Sequence, residues 1–146
     1  MKRTFEELMK VGEKYHRDTN FCTVIATATV CEMSFSKAYY KMKQQGRRDR
    51  RGAYQPQYFN VIKARGFDIK RFSFNSCTVH KVLKQLPSKG TFLINVSRHV
   101  IAVVDGVIND WSDEAYHKNH KGKPCYRRVV EINEIIKSTK PKGRVL

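Results

Sequence analysis

The chain has 146 residues and a mass of 17.1 kDa, one ordinary domain's worth, and 40% hydrophobic with 11% aromatic content excludes wholesale disorder. Lys and Arg number 29 against 13 Asp and Glu, a formal charge of +16 and a pI near 9.9, which suits nucleic acid, an acidic protein or a membrane surface as company but says nothing of fold. No stretch approaches the ~20 apolar residues of a spanning helix, MKRTFEELMK shows no secretory signal, and Cys22, Cys31, Cys77 and Cys125 lack close spacing, so a cytoplasmic protein with reduced thiols and no membrane contact is expected.

Thr4 and Glu7 have capping-box spacing, and Phe5, Leu8, Met9 and Val11 continue as a stripe, predicting a first helix from Thr4 to about His16. Asp18-Thr19-Asn20 supplies turn and cap chemistry for a short buried helix over Cys22 to Cys31. Ser34 or Ser36 caps a third helix running to Gln45, with Gly46 as its stop. Arg47-Arg48-Asp49-Arg50-Arg51-Gly52 reads as a solvated loop. Pro56 suits the first turn of a fourth helix, which Gly66 ends.

The periodicity then changes. Phe67, Ile69, Phe72 and Phe74 predict a strand, and Thr78 to Leu86 a small helix halted by Pro87. Gly90 to Val96, His99 to Val104 and Val107 to about Asp110 read as three strands, the last two joined by a tight hairpin at Asp105-Gly106. Tyr126 to Ile132 adds another strand before a lysine-rich tail at about 137–146. Helices in the first half and antiparallel strands in the second predict a single α+β domain over 1–146, N-terminal helices packed on a C-terminal antiparallel sheet.

Cys22 follows the Asn20 cap by two positions, in the first turn of an apolar helix. The amide donors and positive dipole end there favour a thiolate. Position alone leaves Cys22 open between an activated thiol and one more small buried hydrophobe, the role expected of Cys31. His99 opens the strand His99-Val100-Ile101-Ala102-Val103-Val104. A strand-end imidazole facing a helix-start thiol is what general-base activation of a nucleophile requires. The hairpin returns Asn109-Asp110 towards His99. A two-residue turn pairs Val104 with Val107 and sets Asp110 diagonal to His99, within reach of one ring nitrogen; a slip or bulge substitutes Asn109.

Asp18-Thr19-Asn20-Phe21-Cys22 at a helix start, Gly90-Thr-Phe-Leu-Ile-Asn-Val, and His99-Val-Ile-Ala-Val-Val-Asp-Gly-Val-Ile-Asn-Asp together resemble papain-like cysteine peptidases, most closely the double-glycine, bacteriocin-processing branch and its stand-alone relatives. The resemblance covers roughly residues 16 to 111. It implies a papain-like fold with Cys22 as nucleophile, His99 as base and acid, and Asp110 as the orienting carboxylate. It also implies a protein or peptide substrate, and an origin as a phage or bacterial accessory protein. Such peptidases place a Gln about six residues before the Cys, and Gly or Trp after it. Here His16 and Thr23 stand there, so the Cys22 amide with His16, Asn20 or another amide makes up the expected oxyanion site. The same triad also serves deamidation, transglutamination and acyl transfer.

Two further sets need an account. His117, His120 and Cys125 lack a fourth ligand at structural-zinc spacing, so solvated loop histidines are expected, with no metal and no cofactor. The densest basic cluster, Lys37, Lys41, Lys43, Arg47, Arg48, Arg50 and Arg51, is interleaved with Tyr39, Tyr40 and Tyr54. Lys43, Arg47, Arg48, Arg50 and Arg51 are its candidate polyanion-binding residues, suited to nucleic acid or an acidic protein. The rival to the enzyme is therefore a catalytically weak or inactive papain-like scaffold that binds such a partner.

Overall fold

The first helix starts where its cap chemistry places it: the Glu7 amide donates to Thr4 Oγ1 at 3.1 Å, and α1 runs Phe5–His16. The structure, a computed structural model, describes residues 4–16, 22–75, 78–96, 99–109 and 128–138. Asn20, Cys77, Asp110 and the set from His117 to Cys125 lie outside the described residues, as does the tail beyond 138.

Helix α2 spans Cys22–Cys31 and buries every residue except Cys22 and Thr29, as a helix apolar on all faces must. Helix α3, Phe35–Gln44, is capped by Ser34, whose side chain accepts from the Lys37 amide at 3.1 Å. Helix α4, Gln55–Ala64, carries Pro56 in its first turn, and the Tyr54 N–H donates to Gln57 Oε1 at 2.8 Å. Five strands follow with one short helix among them: β1 (Phe67–Arg71), α5 (Val79–Val82), β2 (Thr91–Val96), β3 (His99–Val104), β4 (Val107–Asn109) and β5 (Val129–Lys137). They form one sheet in the order β1-β5-β2-β3-β4, with every neighbouring pair antiparallel. The fold class is α+β.

Strand alternation splits the core into two layers. Leu93, Val100, Ala102 and Ile135 face α1 to α4, around Leu8, Val24, Phe35, Met42 and Ile62. Phe92, Ile94, Ile101, Val103 and Ile132 face the other way, onto Val79 and Val82 of α5. The hairpin is as its residues dictate: Asp105 (φ 49°) and Gly106 (φ 81°) are both left-handed, and Val104 pairs with Val107. Asp105 also clamps the start of β2, since its Oδ1 accepts from the Gly90 amide at 2.9 Å.

Three local expectations are corrected. Strand β1 ends at Arg71; Phe72 and Phe74 lie past it and pack on the second core layer, Phe72 edge-on to Phe92 at 5.2 Å. Strand β5 begins at Val129 and runs on past Ile132 to Lys137, between β1 and β2, so Lys137 belongs to the sheet rather than to a tail. The loop after α3 is not wholly solvated. The Arg47 amide donates to Met42 O and that of Gly46 (φ 102°) to Lys43 O, a left-handed cap that folds Arg47 under the helix end, where it is 3% exposed.

Helix α2 ends in the same way without a glycine. The amides of Glu32 and Met33 donate to Thr29 O and Ala28 O, and Glu32 sits at φ 52°. A left-handed residue with a Cβ costs about 1–2 kcal/mol, of which glycine's greater freedom in the unfolded chain cancels part. Glu32→Gly is therefore expected to stabilise the fold by about 0.5–1 kcal/mol, read as a raised midpoint in thermal unfolding. Glu32→Ala, which keeps the strain, should not.

Candidate active site

Helix α2 can be buried along its length because its residues are small and apolar, and this leaves its N-terminus as the part that meets solvent. Cys22 stands there, partly exposed. It opens onto a cleft of about 1010 Å³ that is walled by α2, α4, the loop after α3, and the ends of β2 and β3. His99, the first residue of β3, lines the same cleft. It pairs with Val96 at the end of the β2–β3 ladder, and the β2–β5 ladder slips at Asn95/Val96, where β5 carries the extra residue Val130. A bulge of this kind bends the strand and re-aims side chains at a sheet's end.

Polar groups on the helix-facing side of the sheet support the cleft from below. Asn95, a lone polar residue between Ile94 and Val96, donates from Nδ2 to the Tyr58 hydroxyl at 3.1 Å. Tyr58 also hydrogen-bonds Gln55. Gln55 Nε2 donates to Glu131 Oε2 at 2.7 Å, and that oxygen also accepts from Asn133 Nδ2. Arg71 closes the row with an ion pair to Glu131 Oε1 at 3.3 Å. Burial pushes the Tyr58 phenol up; the bonds from Asn95 and Gln55 act against this, and the charges of Glu131 and a Cys22 thiolate add to it, with a net rise. Tyr58 is thus a neutral hydroxyl, a donor at the edge of the cleft. Asn95 Oδ1 and Thr23 Oγ1, both on cleft-lining residues, are buried and find no hydrogen-bond partner among the described residues.

The third wall is cationic. Arg47, Arg48 and Arg51 line the cleft, and no carboxylate does among the described residues. The loop that carries them is pinned through Asp49, whose Oδ1 accepts from the Tyr39 hydroxyl at 2.7 Å and pairs with Lys43 Nζ at 3.5 Å. The bond from Tyr39, then the charge of Lys43, holds the Asp49 carboxyl below its ordinary value against some desolvation. A lowered carboxyl stabilises the fold above its unfolded-state value, and that contribution is lost as pH falls through the folded one.

The structure therefore brings together Cys22, His99, Arg47, Arg48 and Arg51 from among the residues singled out in the sequence. It does not bring His16 with them. His16 shares a hydrogen bond with Ser36 Oγ at 2.9 Å and stacks on Tyr39 at 4.1 Å, so its ring is taken up by the α1–α3 contact and is not among the groups lining the cleft. Asn109 also lies elsewhere. It pairs with Ala102, donates from Nδ2 to Val107 O at 3.0 Å, and borders a second, more apolar cavity of about 440 Å³ with Leu8 and Met33. Lys43 and Arg50 are exposed and do not line the cleft. Cys31 is the inert thiol its pattern suggests, pushed up to about 12 by burial, against a smaller lowering from Arg65. Among the described residues no cluster of His, Cys, Asp and Glu could hold a metal ion, and no helix is long and apolar enough to cross a membrane.

Sequence reasoning passed over Tyr58, Gln55, Asn95 and Glu131. Asn95 carried a signal, a single amide inside the buried run Phe92-Leu93-Ile94-Asn95-Val96; buried polar side chains need a partner, and the partner points to the site. The other three are visible only once α4 and β5 are docked. Comparison with protein-family models, with curated proteins and with solved structures finds no match for this chain. What it does must be read from its own residues.

Proposed function

We propose that the chain is a papain-like cysteine hydrolase in which Cys22 is the nucleophile and His99 the base. The observation that carries this reading is the meeting of a helix-start thiol and a strand-start imidazole in one cleft. His99 takes the Cys22 proton and the thiolate attacks an acyl carbon of the substrate. The tetrahedral oxyanion is held by the Cys22 backbone amide, with the neutral Tyr58 hydroxyl as the second donor. Collapse expels the leaving amine, which takes the proton back from His99, and leaves a thioester. Water, activated by the same imidazole, releases the acid; a different acceptor would make the reaction acyl transfer. Asp110 is assigned the orienting role on sequence grounds.

The test is site-resolved alkylation. Cys22 is expected to react with iodoacetamide near neutral pH far faster than Cys31, which is buried and held protonated. Peptide mapping by mass spectrometry reads both sites in one sample. Slow labelling of Cys22 on a folded protein would remove the activated thiol. It would favour the second reading, a scaffold that binds an anionic partner without chemistry, for which the three arginines of the cleft are the supporting observation.

A further inference from the structure

Helix α2 runs from the cleft to a second cavity, and its two ends meet opposite charge. Its N-terminus opens onto the arginine-lined cleft. Its last turn, with the left-handed cap residue Glu32, walls the cavity of about 440 Å³ that Asn109 borders. The floor of this cavity is apolar: Leu8, Ala28, Val30 and Met33 line it and are each no more than 4% exposed. The mouth is open to solvent, with Val107 61% exposed at its rim. The charged residues that line it are Glu32 and Asp105, both exposed, and no Lys, Arg or His does among the described residues. That reverses the balance of a chain with 29 basic residues against 13 acidic.

Three sources of negative potential meet at this mouth. The last carbonyls of a helix carry the negative end of its dipole, and α2 ends here. Glu32 brings a carboxylate that makes no hydrogen bond or ion pair with a described residue. Asp105 gives Oδ1 to the Gly90 amide, a bond that leaves its charge in place. Glu32 also stands there at a backbone cost, since at φ 52° a glycine would be less strained. Small-molecule sites are commonly cavities of about 300–1,000 Å³, mostly apolar, with a few polar groups that fix orientation.

We infer that this cavity is a second ligand site, for a small molecule with an apolar body and one cationic nitrogen, an alkylammonium or arylalkylammonium. The body enters over Leu8, Val30 and Met33, and the nitrogen stays at the mouth against Glu32, with Asp105 and the end of α2 adding attraction. A neutral apolar ligand would take water from the Glu32 carboxylate and return no partner. An anion would meet like charge. The site is independent of the chemistry of Cys22 and His99.

The test is isothermal titration calorimetry with hexylammonium, hexanol and hexanoate, matched in apolar body. Hexylammonium is expected to bind at least about tenfold more tightly than either of the others. The chain as a whole, at +16, repels a cation, so a preference for the ammonium reads the local carboxylates. From butyl- to hexyl- to octylammonium, each added methylene should tighten binding about three- to fourfold until the floor is filled. Glu32→Gln should weaken hexylammonium about tenfold and leave hexanol unchanged. Glu32→Gly should weaken it as much while the unfolding midpoint rises, so that the loss of binding is not a loss of fold. Glu6→Gln, exposed on α1 and not lining the cavity, should change nothing. Amide NMR spectra place the ligand, with shifts expected at Glu32, Phe67, Thr91 and Val107 and none at Cys22 or His99. Hexanol as tight as hexylammonium overturns the inference in favour of a plain apolar pocket, and hexanoate tighter than both overturns it in favour of the net charge. An equal loss in Glu6→Gln, shifts centred on the cleft, or no binding at millimolar hexylammonium each overturn it as well.

Discussion

His99→Ala is expected to cost Cys22 about a hundredfold in alkylation rate at about pH 5, while changing it less than about tenfold at about pH 8. An unassisted thiol titrates near about 8.5, so its thiolate fraction falls by roughly a thousandfold between those two conditions. A thiolate paired with an imidazolium persists through the same range, and its labelling is nearly flat. Part of the gap closes again, because a thiolate of higher basicity is the better nucleophile, with a Brønsted slope of about 0.4–0.5. That offset is why the acidic condition separates the two proteins and a neutral one does not. Mass mapping of Cys22 across the pH range supplies the profile, with His16→Ala as the control whose ring is used at Ser36 and Tyr39. Identical profiles for His99→Ala and the unmodified chain would dissolve the Cys–His pair, however close the two residues lie in the cleft.

The pair was legible before the fold because both members sit at element boundaries, and boundaries are where short-range chemistry speaks. Cap residues, Pro56, Gly46, Gly66 and the Asp105-Gly106 turn mark the ends of α3, α4 and the β3–β4 hairpin with little help from the rest of the chain. Strand β5 was harder. Its helix-facing row is Glu131, Asn133 and Ile135, so two of its three inward residues are polar, and the strand expected from the sequence stops at Ile132 although the strand in the sheet runs on to Lys137. The row is polar because it supports Gln55 and Tyr58, a fact of tertiary packing that no local pattern encodes. Arg47 shows the same limit from the other side. Six residues rich in Arg look like surface, and only the backward turn of the α3 cap puts one guanidinium inside.

That polar row makes Glu131 the substitution expected to cost the most stability outside the apolar core. Its carboxylate accepts from Gln55 on α4 and from Asn133 on its own strand, and pairs with Arg71 on β1, so one side chain ties a helix to two strands. Asn133 is 3% exposed and Gln55 partly buried, so Glu131→Ala leaves two amides without their acceptor where water is scarce. Each such loss costs about 1–3 kcal/mol. The exposed Arg71 contributes little, since the ion pair of a side chain that is 71% accessible is screened by solvent. The expected loss is about 2–4 kcal/mol, or a fall of roughly 5–15 °C in the unfolding midpoint for a domain of this size. Arg71→Ala should cost less than about 1 kcal/mol, and Glu131→Gln should fall between, because its one oxygen can still accept from both Gln55 and Asn133 at the Oε2 position while its amide NH2 replaces the charged oxygen that faces Arg71. Chemical denaturation of the three variants gives the order directly. If Arg71→Ala proves as costly as Glu131→Ala, the surface ion pair and not the buried amides holds β5 to its neighbours. If Glu131→Ala is neutral, Tyr58 and Gln55 keep their places without the sheet beneath them, and the polar row has no part in building the cleft.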